Sequence, residues 1–119
     1  MMHGQFRIRM KGDLAGNLSE FRDRVGLQRR GRLSDDWDQE FGRRELRSRD
    51  EGWVNLRLWR HEDDEWLVNL TYEKDPLPAD EAEQLHQKVL DAAVAVGMTI
   101  TAESGLEWPK PGSGESGTS

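Results

Sequence analysis

The sequence predicts an α+β fold: a two-layer sandwich in which a mainly antiparallel sheet of four to five strands carries two helices on one face. Three observations predict it. The runs QFRIRMKG, WVNLRLWR and EWLVNLTYE alternate apolar and polar residues with period two, as a strand with one buried face does. The segments AGNLSEFRDRVGL and PADEAEQLHQKVLDAAVAVGM instead space their apolar residues by three and four, which gives a helix one apolar stripe. Each element therefore has a single apolar side, and the strands and helices must cover one another in two layers.

In the first strand, Phe6, Ile8 and Met10 share one face and Arg7, Arg9 and Lys11 share the other, with Gly12 as the stop. The first helix follows. Asn17 and Glu20 have capping-box spacing, Leu18, Phe21 and Val25 form the stripe, and Gly26 ends it. In residues 28–42, Ser34 can cap a short helix with Trp37 and Phe41 on one side, or the segment is a structured loop. RRELRSRD is a weaker strand, with Arg44, Leu46 and Ser48 on one face and Arg43, Glu45, Arg47 and Arg49 on the other. Asp50, Glu51 and Gly52 make a turn. Val54, Leu56 and Leu58 then face inward, as do Trp66, Val68, Leu70 and Tyr72 of the following strand, with the polar HEDDE as their hairpin loop. Asp80 and Glu83 cap the second helix, whose stripe is Ala82, Leu85, Val89, Ala92, Ala93 and Val96. Gly97 ends it, and TITAES is a last strand with Ile100 and Ala102 inward.

The resulting order is β-α-β-β-β-α-β, which suits a split βαβ arrangement of the ferredoxin-like kind with one extra strand. Residues 1–108 form one domain. The segment 109–119, PKPGSGESGTS, has no apolar residue to bury and is expected to be a disordered tail.

Composition sets the scale of the core and the partner classes. The chain has 119 residues, 34 % hydrophobic and 34 % charged, so the core is thin and leans on five Trp and three Phe. With no Cys, disulfides and thiolate metal sites are excluded. No apolar run reaches the roughly 18 residues of a membrane span, and MMHGQFRIRM has no apolar leader, so the expected location is the cytoplasm and no membrane is involved. Net charge is −6 but uneven: residues 1–60 hold 14 Lys/Arg against 10 Asp/Glu, and residues 61–119 hold 3 against 13.

The pleat places the candidate site. If the aliphatic sets are buried under the helices, the opposite sheet face carries Arg7, Arg9, Lys11, Arg47, Trp53, Asn55, Arg57, Trp59 and Asn69, with Glu45 and Glu73 as its acids. Trp and Arg are the side chains most enriched at protein-contact hot spots. The same face can instead stack and neutralise single-stranded nucleic acid, although the closely spaced aromatics of an RRM are missing. A third account is purely structural: arginine stems cover the indoles and pair with Glu45 and Glu73.

Other motifs carry less. HEDDE, His61 to Glu65, clusters carboxylates but lacks EF-hand spacing and its Gly, so it reads as a solvated turn, with a weak divalent site as the alternative. His86 has no identifiable partner for acid–base work, and His3 lies in a frayed terminus. KGDLAGN matches no phosphate loop, and QRRGR reads as a solvated loop beside Asp35 to Glu40. Asn55, Arg57, Asn69 and Tyr72 can orient a small anion, but nothing supplies a base or nucleophile. A pocket uniting Arg57, His61 and a carboxylate would be needed. The expected function is a small non-catalytic binding module of regulator, adaptor or inhibitor type, with a protein partner or a second copy on the Trp-containing basic face. Single-stranded nucleic acid is the alternative partner. No cofactor and no metal is expected.

Overall fold

The computed structural model describes residues 3–28, 40–62 and 64–104. The short helix considered from Ser34, most of QRRGR and the tail from residue 109 lie outside the described residues. The elements are β1 (His3–Lys11), α1 (Leu18–Val25), β2 (Glu40–Arg47), β3 (Val54–Glu62), β4 (Glu65–Tyr72), α2 (Ala79–Ala95) and β5 (Thr99–Ser104). Strand formation thus begins at His3, not after it, and HEDDE is mostly strand: the ladder runs out to Glu62 opposite Glu65.

One five-stranded sheet has the order β2-β3-β4-β1-β5, and all four neighbouring pairs are antiparallel. The strands β2, β3 and β4 form a meander. Because β4 and β5 both run antiparallel to β1 between them, they are parallel to each other, and α2 is the crossover that joins them. Helix α1 crosses from β1 to the far edge strand β2.

Both helices pack on the same sheet face. Phe6, Ile8 and Met10 of β1, Val54, Leu56 and Leu58 of β3, and Trp66, Val68 and Leu70 of β4 share one buried cluster with Phe21 and Val25 of α1 and Ala82, Leu85, Val89, Ala92 and Ala93 of α2. These are the residues that the two periodicities select, so tertiary burial and local pattern agree.

The ends of α1 and α2 differ from the capping signals. Asn17 stands at the N-cap of α1 without a side-chain cap bond, and Glu20 instead pairs with Arg24 one turn on. Helix α2 begins at Ala79 after Pro78, so Asp80 lies in its first turn, where its charge suits the helix dipole, and is not the cap. At the other end of α1, Gly26 adopts φ +86°, a left-handed turn that glycine takes without penalty. Arg44 Nη1 then donates to the Val25 carbonyl at 3.1 Å, and Arg22 Nη1 to the Phe41 carbonyl at 2.8 Å, which ties α1 to β2 from both partners.

Two register shifts reshape β2, between Glu40 and Gly42 and between Glu45 and Arg47. Each adds a residue and reverses the alternation beyond it. A further shift in β5 inserts Thr101 between Ile100, opposite Met10, and Ala102, opposite Arg9. Ala102 is therefore on the open face and exposed, not inward as the simple alternation implies. No helix of the described residues is long and apolar enough to cross a membrane.

Candidate functional site

The face of the sheet away from the helices is organised by register into cross-strand rows. The central row is Arg43, Arg57, Asn69, Arg7 and Ser104. Beside it runs Glu40, Trp59, Leu67, Arg9 and Ala102, and on the other side Glu45, Asn55, Thr71 and Gly4. The alternation of β1, β3 and β4 thus brings Arg7, Arg9, Asn55, Arg57, Trp59 and Asn69 onto one surface. Trp53 precedes β3, half-buried, and its carbonyl accepts the Glu73 amide at 3.0 Å. Lys11 lies at the rim, with Asp64 4.0 Å from its ammonium.

Arg47 is not part of the surface. The register shift after Glu45 places it opposite Val54, on the helix side. Its guanidinium donates to the Asp75 and Pro76 carbonyls at 2.6 and 3.3 Å and braces the connection from β4 to α2. Gln5 grips the same connection by a reciprocal pair with the Leu77 amide and carbonyl.

The face divides electrostatically into two halves. On the β2–β3 half, Glu40 is 1 % exposed and accepts Arg43 bidentately at 2.9 and 3.0 Å, with Arg57 Nε 3.7 Å away. Arg57 also lies over the Trp59 ring, 5.6 Å from its centroid. The Trp59 indole donates to Asn69 Oδ1 at 3.2 Å, which fixes both side chains. Two cations and an aromatic are thereby engaged within the chain. The pairing anticipated from Glu45 and Glu73 is made instead by Glu40, a residue that sequence reasoning left in an undefined loop. Its signal is faint: a carboxylate three residues before an arginine becomes a cross-strand neighbour of Trp59 only because β2 bulges.

On the β1–β4–β5 half, Arg7 and Arg9 are exposed, and neither guanidinium makes a hydrogen bond or ion pair among the described residues. Their neighbours are Asn69 and Leu67 on one side and Ser104 and Ala102 on the other. None of these is acidic; Glu65 stands in the next row, opposite Lys11, and shares a recess with Arg9 but makes no ion pair with it among the described residues, so both guanidiniums remain unpaired. The exposed acids of α2, Asp80, Glu81, Glu83 and Asp91, lie in the opposite layer.

Asn55 and its cross-strand neighbour Thr71 reach the face but are only 6 % exposed each, so neither presents itself to a partner. Asn55 Oδ1 and Thr71 Oγ1 also have no hydrogen-bond partner among the described residues. A buried hydroxyl without a partner costs about 1–3 kcal/mol, whereas an apolar isostere avoids that cost. Thr71→Val is accordingly expected to raise the urea midpoint, by about 1 kcal/mol of stability, with an unchanged m-value.

Other chemistry is sparse. His61, Glu62 and Glu65 place their ligand atoms within 4.8 Å of one another, and two carboxylates with an imidazole suit a divalent cation. His61 and Glu62 are exposed, and the facing of Glu62 and Glu65 follows from the hairpin register, so the group is accounted for without an ion. A recess of about 10 Å³ is lined by Arg9, Met10, His61, Glu65, Trp66, Leu67 and Thr101. It excludes Arg57 and is too small for a substrate. His86 is held in the structure: its ring stacks on Phe6 at 4.7 Å, and Nε2 is 3.2 Å from Glu103 Oε1.

No family model, curated protein or solved structure matches the chain. Function must therefore be argued from this geometry.

Proposed function

We propose that the protein is a small non-catalytic binding module, of regulator, adaptor or inhibitor type, that docks an acidic protein surface through the β1–β4–β5 half of its open sheet. The fold supporting it reads as a ferredoxin-like variant: with β2 set aside, the order is β3-β4-β1-β5, in which α2 joins β4 to β5 across β1, and α1, by way of β2, leads from β1 to β3 across β4. The observation that carries the functional reading is the contrast between the two halves. Arg43 and Arg57 share a buried glutamate, whereas Arg7 and Arg9 stand exposed and their guanidiniums make no ion pair among the described residues. Charge left uncompensated on a rigid strand orients and accelerates encounter with an acidic partner.

Nucleic acid is less well served by the same face. Single-strand binding needs open aromatic faces for base stacking. Trp59 already carries Arg57 over its ring and is tied to Asn69. The acidic α2 layer adds repulsion for a polyanion approaching at low salt. Self-association of the face would bring Arg7 and Arg9 against their own copies, which like-charge repulsion opposes.

Titration of isotope-labelled protein with polyglutamate, and in parallel with an oligothymidylate, tests the reading. Amide shifts are expected at Arg7, Arg9, Leu67 and Asn69 with polyglutamate. The double change Arg7→Glu, Arg9→Glu is expected to weaken that binding by about tenfold or more, equivalent to ~1.4 kcal/mol. Shifts confined to α2, or affinity indifferent to the double change, would overturn it. Tighter binding of the oligonucleotide would transfer the face to nucleic acid.

A further inference from the structure

We infer that the partner segment is an extended strand that adds to the free edge of β5 and carries acidic residues at alternate positions, which Arg7 and Arg9 read across β5. This rests on the reading of the basic half-face as a contact surface and names what it contacts.

The two edges of the sheet are treated differently. On β2, Gln28 and Arg43 exchange backbone hydrogen bonds at 2.7 and 3.0 Å, and two register shifts interrupt the strand. Its outward backbone groups are thus partly occupied and its line is broken. Among the described residues, strand β5 pairs with β1 alone and its backbone makes no hydrogen bond outside that ladder. In an antiparallel edge strand about half the backbone donors and acceptors point away from the neighbour. Thr99, Thr101, Ala102 and Glu103 are exposed, and the segment has no Pro or Lys to repel an added strand. The extra residue Thr101 bends the edge, but Ala102 to Ser104 beyond it remain in register with Arg9 to Arg7.

The side chains then set the chemistry of the occupant. On the open face, β5 shows Ala102 and Ser104 opposite Arg9 and Arg7. Both are small. Strands lie about 4.8 Å apart, so an added strand would run roughly 10 Å from β1. Long arginines leaning over Ala and Ser can meet carboxylates that reach back from that strand, in pairs spaced two residues apart. On the helix side the requirement reverses. Glu103 projects there, beside His86 of α2, and an acidic residue opposite it would be repelled. Acid on one face and none on the other is an alternating pattern. Main-chain bonds supply affinity in this mode and alternate side chains supply specificity.

The test uses the full chain and two labelled peptides of identical composition, one repeating Thr-Glu and one repeating Thr-Thr-Glu-Glu. The alternating peptide is expected to bind about tenfold more tightly and to slow hydrogen exchange of the amides between Thr99 and Ser104. Arg7→Glu, Arg9→Glu is expected to abolish the preference. Ala102→Trp, which blocks the crossing without altering charge, is expected to weaken the alternating peptide by about tenfold while circular dichroism stays unchanged. Equal affinity for both peptides, or binding without protection of β5, overturns the edge geometry. If that binding still depends on Arg7 and Arg9, the basic-face reading stands. If it does not, that reading falls too. Failure of the alternating peptide to bind at millimolar concentration overturns the inference, as does β5 protection that rises with protein concentration alone, which would make the occupant a second copy.

Discussion

Glu40→Ala is expected to destabilise the protein by about 3 kcal/mol, read as a fall in the urea midpoint. The carboxylate is 1 % exposed and serves Arg43 directly and Arg57 at 3.7 Å. Removing it takes the buried carboxylate away from two guanidiniums that face each other across β2 and β3. Their side chains are 31 % and 19 % exposed, so water recovers part of the loss, and the lower end of the usual range for a broken buried pair applies. Glu20→Ala provides the control. Glu20 meets Arg24 at the same 2.9 Å, but both are about half exposed, and the expected change stays within about 0.5 kcal/mol. Equal losses at the two positions would mean that burial does not set the difference. Glu40→Ala also has an expected effect of opposite sign on binding. Two cations released onto the face should tighten polyglutamate several-fold at low salt, while stability falls. A stability loss without that gain would show that the two halves of the face are independent.

The position of Glu40 also shows where the sequence becomes hard to read. Strands β1, β3 and β4 were legible because Phe6-Ile8-Met10, Val54-Leu56-Leu58 and Trp66-Val68-Leu70 alternate without interruption, and period two allows only one side for each residue. Hence Arg7, Arg9, Trp59 and Asn69 fall together on the sheet as the pleat requires. In β2 the sequence EFGRRELR offers only Phe41 and Leu46 as apolar markers, and the two bulges fall at these same residues. No periodicity survives such resets, so Arg47 reads as outward although it turns to the helix side, and Glu40 reads as loop. Arg44, which the alternation sets on the face of Leu46, does face the helix layer: it lies opposite Leu56, and its long stem carries the charge to the Val25 carbonyl at the end of α1. The division of the face into a paired and an exposed half depends on these β2 details, and no local pattern encodes it. The edge character of β5 is likewise a property of strand order, which local pattern does not encode.

Trp66→Ala is expected to cost about 4 kcal/mol, the largest effect of any single truncation in the core, measured by urea or thermal unfolding. Among the described residues Trp66 is the bulkiest fully buried side chain, and it is 1 % exposed. Phe41 meets its ring edge-on at 5.4 Å, and the Arg60 guanidinium lies 5.0 Å from its centroid. In a chain only 34 % hydrophobic, few neighbouring side chains can move in to fill the space, so the cavity persists and its cost adds to the lost transfer energy. Trp66→Phe separates the ring from its polar atom. The indole Nε1 is buried without a hydrogen-bond acceptor among the described residues. Phenylalanine keeps most of the ring packing and removes that donor, so the smaller area lost and the desolvation cost relieved act in opposite directions at about 1–3 kcal/mol each. The expected net change is within about 1 kcal/mol. A Phe variant as unstable as the Ala variant would mean that the indole nitrogen is satisfied and that its hydrogen bond, not ring volume, holds β4 against α1 and β2.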